Sequence, residues 1–210
     1  WWSLGKPSRS LAKFPELCFG DKLKAKVIER GENGLLKVQL NDESLVSTVG
    51  TIPLPPYIRG KLNDPERYQT IYAGREAGSV AAPTAGLHFS SELMDVLHSE
   101  NIECAFVTLH VGLDTFRPIT HDNPTDHKIH TEFWELSAKA ATAINAARKN
   151  GRRIVAVGTT IVRVLEQCGL LAEQRGESEL ESGCGWADLF ILPGHQFRVV
   201  EALITNFHLP

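Results

Sequence analysis

The chain has 210 residues, 42% hydrophobic and 22% charged, and a formal net charge of −3. That composition excludes wholesale disorder and a generally basic nucleic-acid binder, while leaving room for one large domain or a medium domain with a small companion. No apolar run reaches membrane-spanning length, the opening WWSLGKPSRS has neither signal nor transit character, and Cys18, Cys104, Cys168 and Cys184 show no CxxC spacing, so a cytoplasmic protein with reduced cysteines is expected.

Residues 23–30 (LKAKVIER) and 35–40 (LLKVQL) alternate apolar and polar around a Gly/Asn-containing turn at 31–34, which predicts a hairpin and an all-β first region over residues 1–52. The Pro-rich stretch 52–57 (IPLPPY) forbids helix or central strand and marks the expected boundary with an α/β region over 53–210. Ser90 or Ser91 is placed to cap a helix through about Ser99, and the apolar run 102–111 (IECAFVTLHV) predicts a buried strand. Ser137 caps a second, Ala-rich helix running to Gly151, followed by a short buried strand at 153–158 (RIVAVG). Thr159 and Thr160 open a third helix at the carboxyl end of that strand. Residues 188–192 (DLFIL) and 199–206 (VVEALITN) predict further strands, and the charged, Gly-containing stretch 173–185 an exposed loop.

Three stretches carry chemistry. In GSVAAPTAGLHF, residues 78–89, small side chains leave backbone amides uncovered, so a ligand could approach the main chain closely with His88 beside it; close strand packing uses small residues equally well. In VGTTIVRVLE, residues 157–166, two hydroxyls and the amides of a helix N-terminus could receive a carboxylate or phosphate, with Arg163 one turn further; a Thr cap with Arg163 in a surface ion pair is the alternative. In DHKIH, residues 126–130, His127 and His130 stand three apart beside a carboxylate. A metal site is one reading and polar substrate contacts or a turn network the other, since helical zinc pairs more commonly stand four apart.

Taken together, PLPPYI (53–58), YQTIYA (68–73), GSVAAPTAGLHF (78–89), FVTLHVG and TFRPI (within 106–119), HKIHTE (127–132), VAVGTT (155–160), VRVLE (162–166), DLFILPG (188–194) and LITNFHLP (203–210) closely resemble the S-adenosylmethionine:tRNA ribosyltransferase-isomerases of queuosine biosynthesis. The opening W-x-x-x-x-K-P and GDKLKAKV (20–27) look like that family's inserted β domain. The resemblance implies an α/β main domain, barrel-like or layered, with an inserted small β-barrel domain. The sequence departs from the family pattern at Leu113-Asp114, where a small pair is usual, at Ile161, at His195-Gln196 and at Glu201. It lacks the family's first segment and its last, so the chain is expected to be a fragment missing both terminal parts.

The implied reaction transfers the ribosyl part of S-adenosylmethionine to the 7-aminomethyl-7-deazaguanine base at the tRNA wobble position, giving epoxyqueuosine and releasing adenine and methionine. S-adenosylmethionine is then a co-substrate, no separate cofactor or metal is expected, and the enzyme is expected to be a monomer. Removal of a proton next to the sulfonium calls for a base that titrates near neutrality, which implicates His88 and His110. The resemblance places the substrates against Thr84, Gly86, Phe89, Arg117, His127, His130, Thr159, Thr160, Arg163, Asn206 and His208. Among these, Arg163, Thr159 and Thr160 suit the methionyl carboxylate, and Asn206 and His208 the departing adenine. Phe89, Phe116, Tyr57 and Tyr72 are possible stacking platforms for an anticodon-loop base, and Lys24, Lys26 and Lys37 possible phosphate contacts, with core packing and a solvated strand face as the respective alternatives. Two other functions remain open at this level: a metal-dependent hydrolase using His110, His127 and His130, and a catalytically idle tRNA-binding remnant.

Overall fold

The structure, a computed structural model, describes residues 1–5, 11, 13–31, 34–54, 58, 60, 62–74, 79, 81–112 and 132–206. The chain divides into two compact units, Trp1–Pro53 and Leu54–Pro210.

The first unit is a four-stranded antiparallel sheet of β1 (Trp2–Leu4), β2 (Glu16–Phe19), β3 (Leu23–Arg30) and β4 (Leu35–Leu40), in the order β1-β4-β3-β2. Strand alternation sends Ala25, Leu36 and Val38 into one small core. The lysines point the other way, where Lys24 pairs with Glu16 at 3.5 Å and Lys37 with Glu29 at 3.7 Å. The β3–β4 register shifts between Val27 and Glu29, a bulge that bends the ladder. Among the described residues β1 and β2 remain edges, so the sheet does not close into the small barrel expected of this region.

The second unit mixes helices with two sheets. Strands β5 (Thr108–His110), β6 (Glu132–Leu136) and β8 (Gly183–Ala187) form an antiparallel sheet in the order β5-β6-β8, while β7 (Val155–Val157) and β9 (Ala202–Ile204) pair in parallel. Helices α1 (Ser91–Ser99), α2 (Ala138–Lys149) and α3 (Thr159–Gln174) complete it. Ser90 and Ser137 cap the first two, each hydroxyl accepting from the amide three residues on at 3.2 Å. Gly158, at φ +96°, is the N-cap of α3, so Thr159 and Thr160 are the first helical residues and not the cap. Trp134 and Leu136 of β6, Ala140, Ala141 and Ile144 of α2, Val162, Leu165, Cys168 and Ala172 of α3, and Val199 and Val200 make one continuous core. This is a mixed α/β architecture with several sheets, none closed on itself among the described residues.

Three expected strands differ from those observed, and α3 explains two of them. Residues 188–192 form no strand because the Leu189 amide donates to Gln167 Oε1 at 3.0 Å and its carbonyl accepts from Arg163 Nε at 3.0 Å. The strand lies earlier, at β8, inside the stretch expected to be loop, where Gly183–Ala187 pair antiparallel with Glu132–Leu136 of β6. Residues 199–206 form strand only from Ala202, because the Val199 and Val200 amides go to the Glu166 carboxylate. Of 102–111 only Thr108–His110 pairs with a neighbour, and Ile102 and Phe106 are exposed. No described helix is long and apolar enough to cross a membrane.

Candidate functional site

Two parallel strands present their carboxyl ends at the same edge, and in open α/β folds that edge is where ligands bind. Here Val157 of β7 is opposite Ile204 of β9, so the chain leaves the pair side by side at Gly158 and Thr205, with Asn206 one residue further. The Gly158 amide donates to the Ile204 carbonyl at 2.8 Å, fixing the start of α3 against the end of β9. Thr159 and Thr160 occupy the first turn of that helix, where amides have no intrahelical acceptor and the dipole favours negative charge.

The small-residue run reaches the same edge. Its 3₁₀ turn, Thr84–His88, ends with the exposed His88 ring, whose Nε2 lies 3.0 Å from Asn206 Oδ1. With the amide oxygen facing the ring, the contact suits the imidazole tautomer that carries its proton on Nε2. Ala85 and Gly86 are buried beneath, while Thr84 and Phe89 are half-buried on either side. Gly86 has a specific cause: a Cβ there would fall on the Tyr72 hydroxyl and 3.0 Å from Thr70 Cγ2. Burial also raises the Tyr72 phenol above its ordinary range, and its ring packs on Phe106 at 5.3 Å.

At the other end of the run, Ser79 Oγ accepts from the Val111 amide at 3.2 Å, tying the loop to the end of β5 next to His110. The His110 ring stacks toward Phe133 with 5.8 Å between centroids. Thus His88, Asn206, Thr159 and Thr160 gather at one rim, and His110 joins through the loop and not through a bond to His88 among the described residues.

Arg163 lies one turn into α3. Its guanidinium donates to Glu132 Oε2 at 2.7 Å, the Ala187 carbonyl at 2.7 Å and the Leu189 carbonyl at 3.0 Å, in a largely buried ion pair that joins α3 to β6 and β8. Glu166, three residues on, is not singled out by sequence reasoning beyond its place in VRVLE. It is fully buried and accepts from three consecutive amides, Arg198, Val199 and Val200, at 2.8, 3.0 and 2.9 Å. A charged residue beside the apolar positions Val162, Val164, Leu165 and Cys168 of one helix is the available signal, since such a group must find donors if it is buried.

Arg117, His127, His130 and His208, with Phe116 and Tyr57, lie outside the described residues. So does most of the metal reading: of His110, His127 and His130 only His110 is described, and no group of three His, Cys, Asp or Glu among the described residues could hold a metal ion.

A family model described as "Queuosine biosynthesis protein" matches residues 1–210. A relative from Symbiobacterium thermophilum, named S-adenosylmethionine:tRNA ribosyltransferase-isomerase, is 47% identical across all of this chain and 61% of its own length. A Dehalococcoides mccartyi protein of the same name is 50% identical over 90% of this chain and 54% of its own length. A solved structure titled S-adenosylmethionine tRNA ribosyltransferase, from Thermotoga maritima, is 31% identical, with 98% of this chain and 54% of that one covered and a TM-score of 0.46. The chain therefore spans between half and two thirds of the length of the relatives it matches. With the family model matching from its first residue to its last, the chain belongs to the queuosine biosynthesis protein family.

Proposed function

We propose that this chain supplies the catalytic rim of an S-adenosylmethionine:tRNA ribosyltransferase-isomerase. The enzyme moves the ribosyl moiety of S-adenosylmethionine to 7-aminomethyl-7-deazaguanine at the tRNA wobble position, with isomerisation to epoxyqueuosine and loss of adenine and methionine. It works in the cytoplasm as a monomer, with S-adenosylmethionine as co-substrate and no separate cofactor. The single observation that carries the reading is the 3.0 Å contact between His88 and Asn206 at the mouth of the helix that begins with Thr159 and Thr160. It supports a site in which an imidazole and an amide meet where β9 ends, in a chain whose relatives bear that enzyme's name.

Each group then has a task. His88 Nδ1 accepts the proton from the carbon next to the sulfonium, while Asn206 holds the ring from the far side. The amides and hydroxyls of Thr159 and Thr160 receive the methionyl carboxylate. Thr84 and Phe89 lie at the sides of the nucleoside, on a turn whose Ala85 and Gly86 are buried beneath it, Gly86 against Tyr72. His110 is the second candidate base, and the anticodon loop presents the unpaired target base to this edge. Lys24, Lys26 and Lys37, on the outward face of the first unit's sheet, contact phosphates, so tRNA binding weakens as salt rises. The small sheet is proposed to belong to the family's inserted β domain, and the second unit to its layered α/β main domain.

The test is adenine release from S-adenosylmethionine by the full-length protein in the presence of precursor-modified tRNA. His88→Ala should lower turnover by roughly 10²- to 10⁴-fold, the usual scale for losing a general base, and leave tRNA affinity near wild type. Wild-type turnover by that variant removes His88 as the base; no adenine release by the wild-type protein removes the reaction.

A further inference from the structure

Glu166 is fully buried, yet its surroundings are those of a charge. Oε1 accepts from the Val199 and Val200 amides at 3.0 and 2.9 Å, and Oε2 accepts from the Arg198 amide at 2.8 Å with His195 Nε2 at 3.3 Å. Consecutive amides converging on one carboxylate form an anion nest, here filled by the chain's own side chain. The approach is close enough to require a glycine beside it: a Cβ on Gly169, nearly one turn further along α3, would sit 2.7 Å from Val199 Cγ2 and 3.0 Å from Arg198 Cβ.

The clamped segment leads directly into the site. The amides of Glu201 and Ala202 both donate to the Ile154 carbonyl, at 3.0 and 3.2 Å, and β9 then pairs with β7 as far as Ile204. Asn206 stands two residues beyond that pairing, against His88. The helix that carries Glu166 also carries Thr159 and Thr160 at its first turn. One carboxylate therefore fastens α3 to the segment that delivers Asn206.

We infer that Glu166 is a positioning residue: by fixing residues 198–200 against α3, it holds Asn206 at the His88 ring and thereby selects the imidazole tautomer whose Nδ1 is the free base. Its consequence for turnover rests on the proposed function, but the positioning itself does not. The substitution Glu166→Gln keeps the size of the side chain and turns an amino group toward either the Arg198 amide or the Val199 and Val200 pair, so that one side of the clamp must open.

The experiment uses the complete chain carrying ¹⁵N-labelled histidine and reads the His88 ring-nitrogen shifts above the pH at which the ring titrates. The wild type should show a protonated Nε2 and an unprotonated Nδ1. Asn206→Ala and Glu166→Gln should both move His88 toward the mixed tautomers of a solvated imidazole, and the double variant no further than Asn206→Ala alone. With precursor tRNA, Glu166→Gln should lower kcat roughly 10- to 100-fold with little change in KM, the scale of a small misplacement of catalytic groups. A folded Glu166→Gln chain with wild-type His88 shifts overturns the inference. If Glu166→Gln does not fold, Glu166→Asp, which keeps both oxygens but draws the segment in by one methylene, carries the same comparison, and unchanged shifts there overturn it equally. The nitrogen shifts decide the positioning whether or not adenine is released, whereas failure of adenine release by the wild type counts against the reaction alone.

Discussion

The packing of the turn that carries His88 depends on a missing methyl group. A Cβ at Gly86 would overlap the Tyr72 hydroxyl and press on Thr70 Cγ2 at 3.0 Å. Gly86→Ala should therefore destabilise the second unit by about 1–3 kcal/mol, the usual range for overpacking, as read by denaturant unfolding. Adding Tyr72→Phe removes the hydroxyl and should recover part of that loss; a Gly86→Ala chain as stable as wild type would show that Tyr72 moves aside at no cost. The same residues show what a sequence reveals of a site. His88, Asn206, Thr159 and Thr160 are all legible as residue types that hold ligands or protons. That His88 meets Asn206 is not, because the two are 118 positions apart and no local spacing encodes their contact. Glu166 escapes for a related reason, since its donors are backbone amides, which leave no mark in the sequence.

At the scale of elements, α3 is the beam from which the second unit hangs. Arg163 reaches β6 and β8 on one side and Glu166 reaches the 198–200 segment on the other. The Arg163–Glu132 pair is little exposed, with side-chain exposures of 14% and 7%. Glu132→Gln should thus cost about 3–5 kcal/mol, the range for stripping a buried charge of its partner, whereas replacing both residues by apolar ones of similar size should cost less. Part of the penalty should remain in the double variant, because the Ala187 and Leu189 carbonyls also lose their donor. A double-mutant cycle by chemical denaturation gives the coupling, and additive costs would mean that the pair is not a unit. These same side chains account for the strands that sequence periodicity misplaces. Helices α1 and α2 are legible because a serine cap and an apolar stripe are local facts. Whether DLFIL or VVEALITN forms strand depends on which group takes the backbone hydrogen bonds, and here Gln167, Arg163 and Glu166 take them first.

Over the whole molecule, the two units have separate hydrophobic clusters, and the cysteines are distributed so that one thiol reports on the larger cluster. Cys18, Cys104 and Cys184 are exposed, whereas Cys168 lies in the core of the second unit on α3. Burial pushes the Cys168 thiol up to about 12 from its ordinary 9.0, with Arg175 opposing only weakly. A thiol held so far from ionisation does not react while it is enclosed. In native buffer a maleimide should label the three exposed cysteines quickly, and Cys168 only at the rate at which the second unit opens, rising with denaturant. The same shift sets the sign of the pH dependence. Below pH 9 both states keep the proton and this group contributes no slope. Between about 9 and about 12 the unfolded chain releases it while the folded chain retains it, so unfolding free energy falls as pH rises, by at most ~1.4 kcal/mol per pH unit from this one group. Cys168→Ala should remove that component and leave the slope from other groups in place, so the difference between the two unfolding curves between pH 9 and 11 isolates it. Rapid labelling of Cys168 in native buffer, or identical pH slopes for the two chains, would mean that the core around α3 is open to water, and the bonds from Arg163 and Glu166 could not then have the strength ascribed to them.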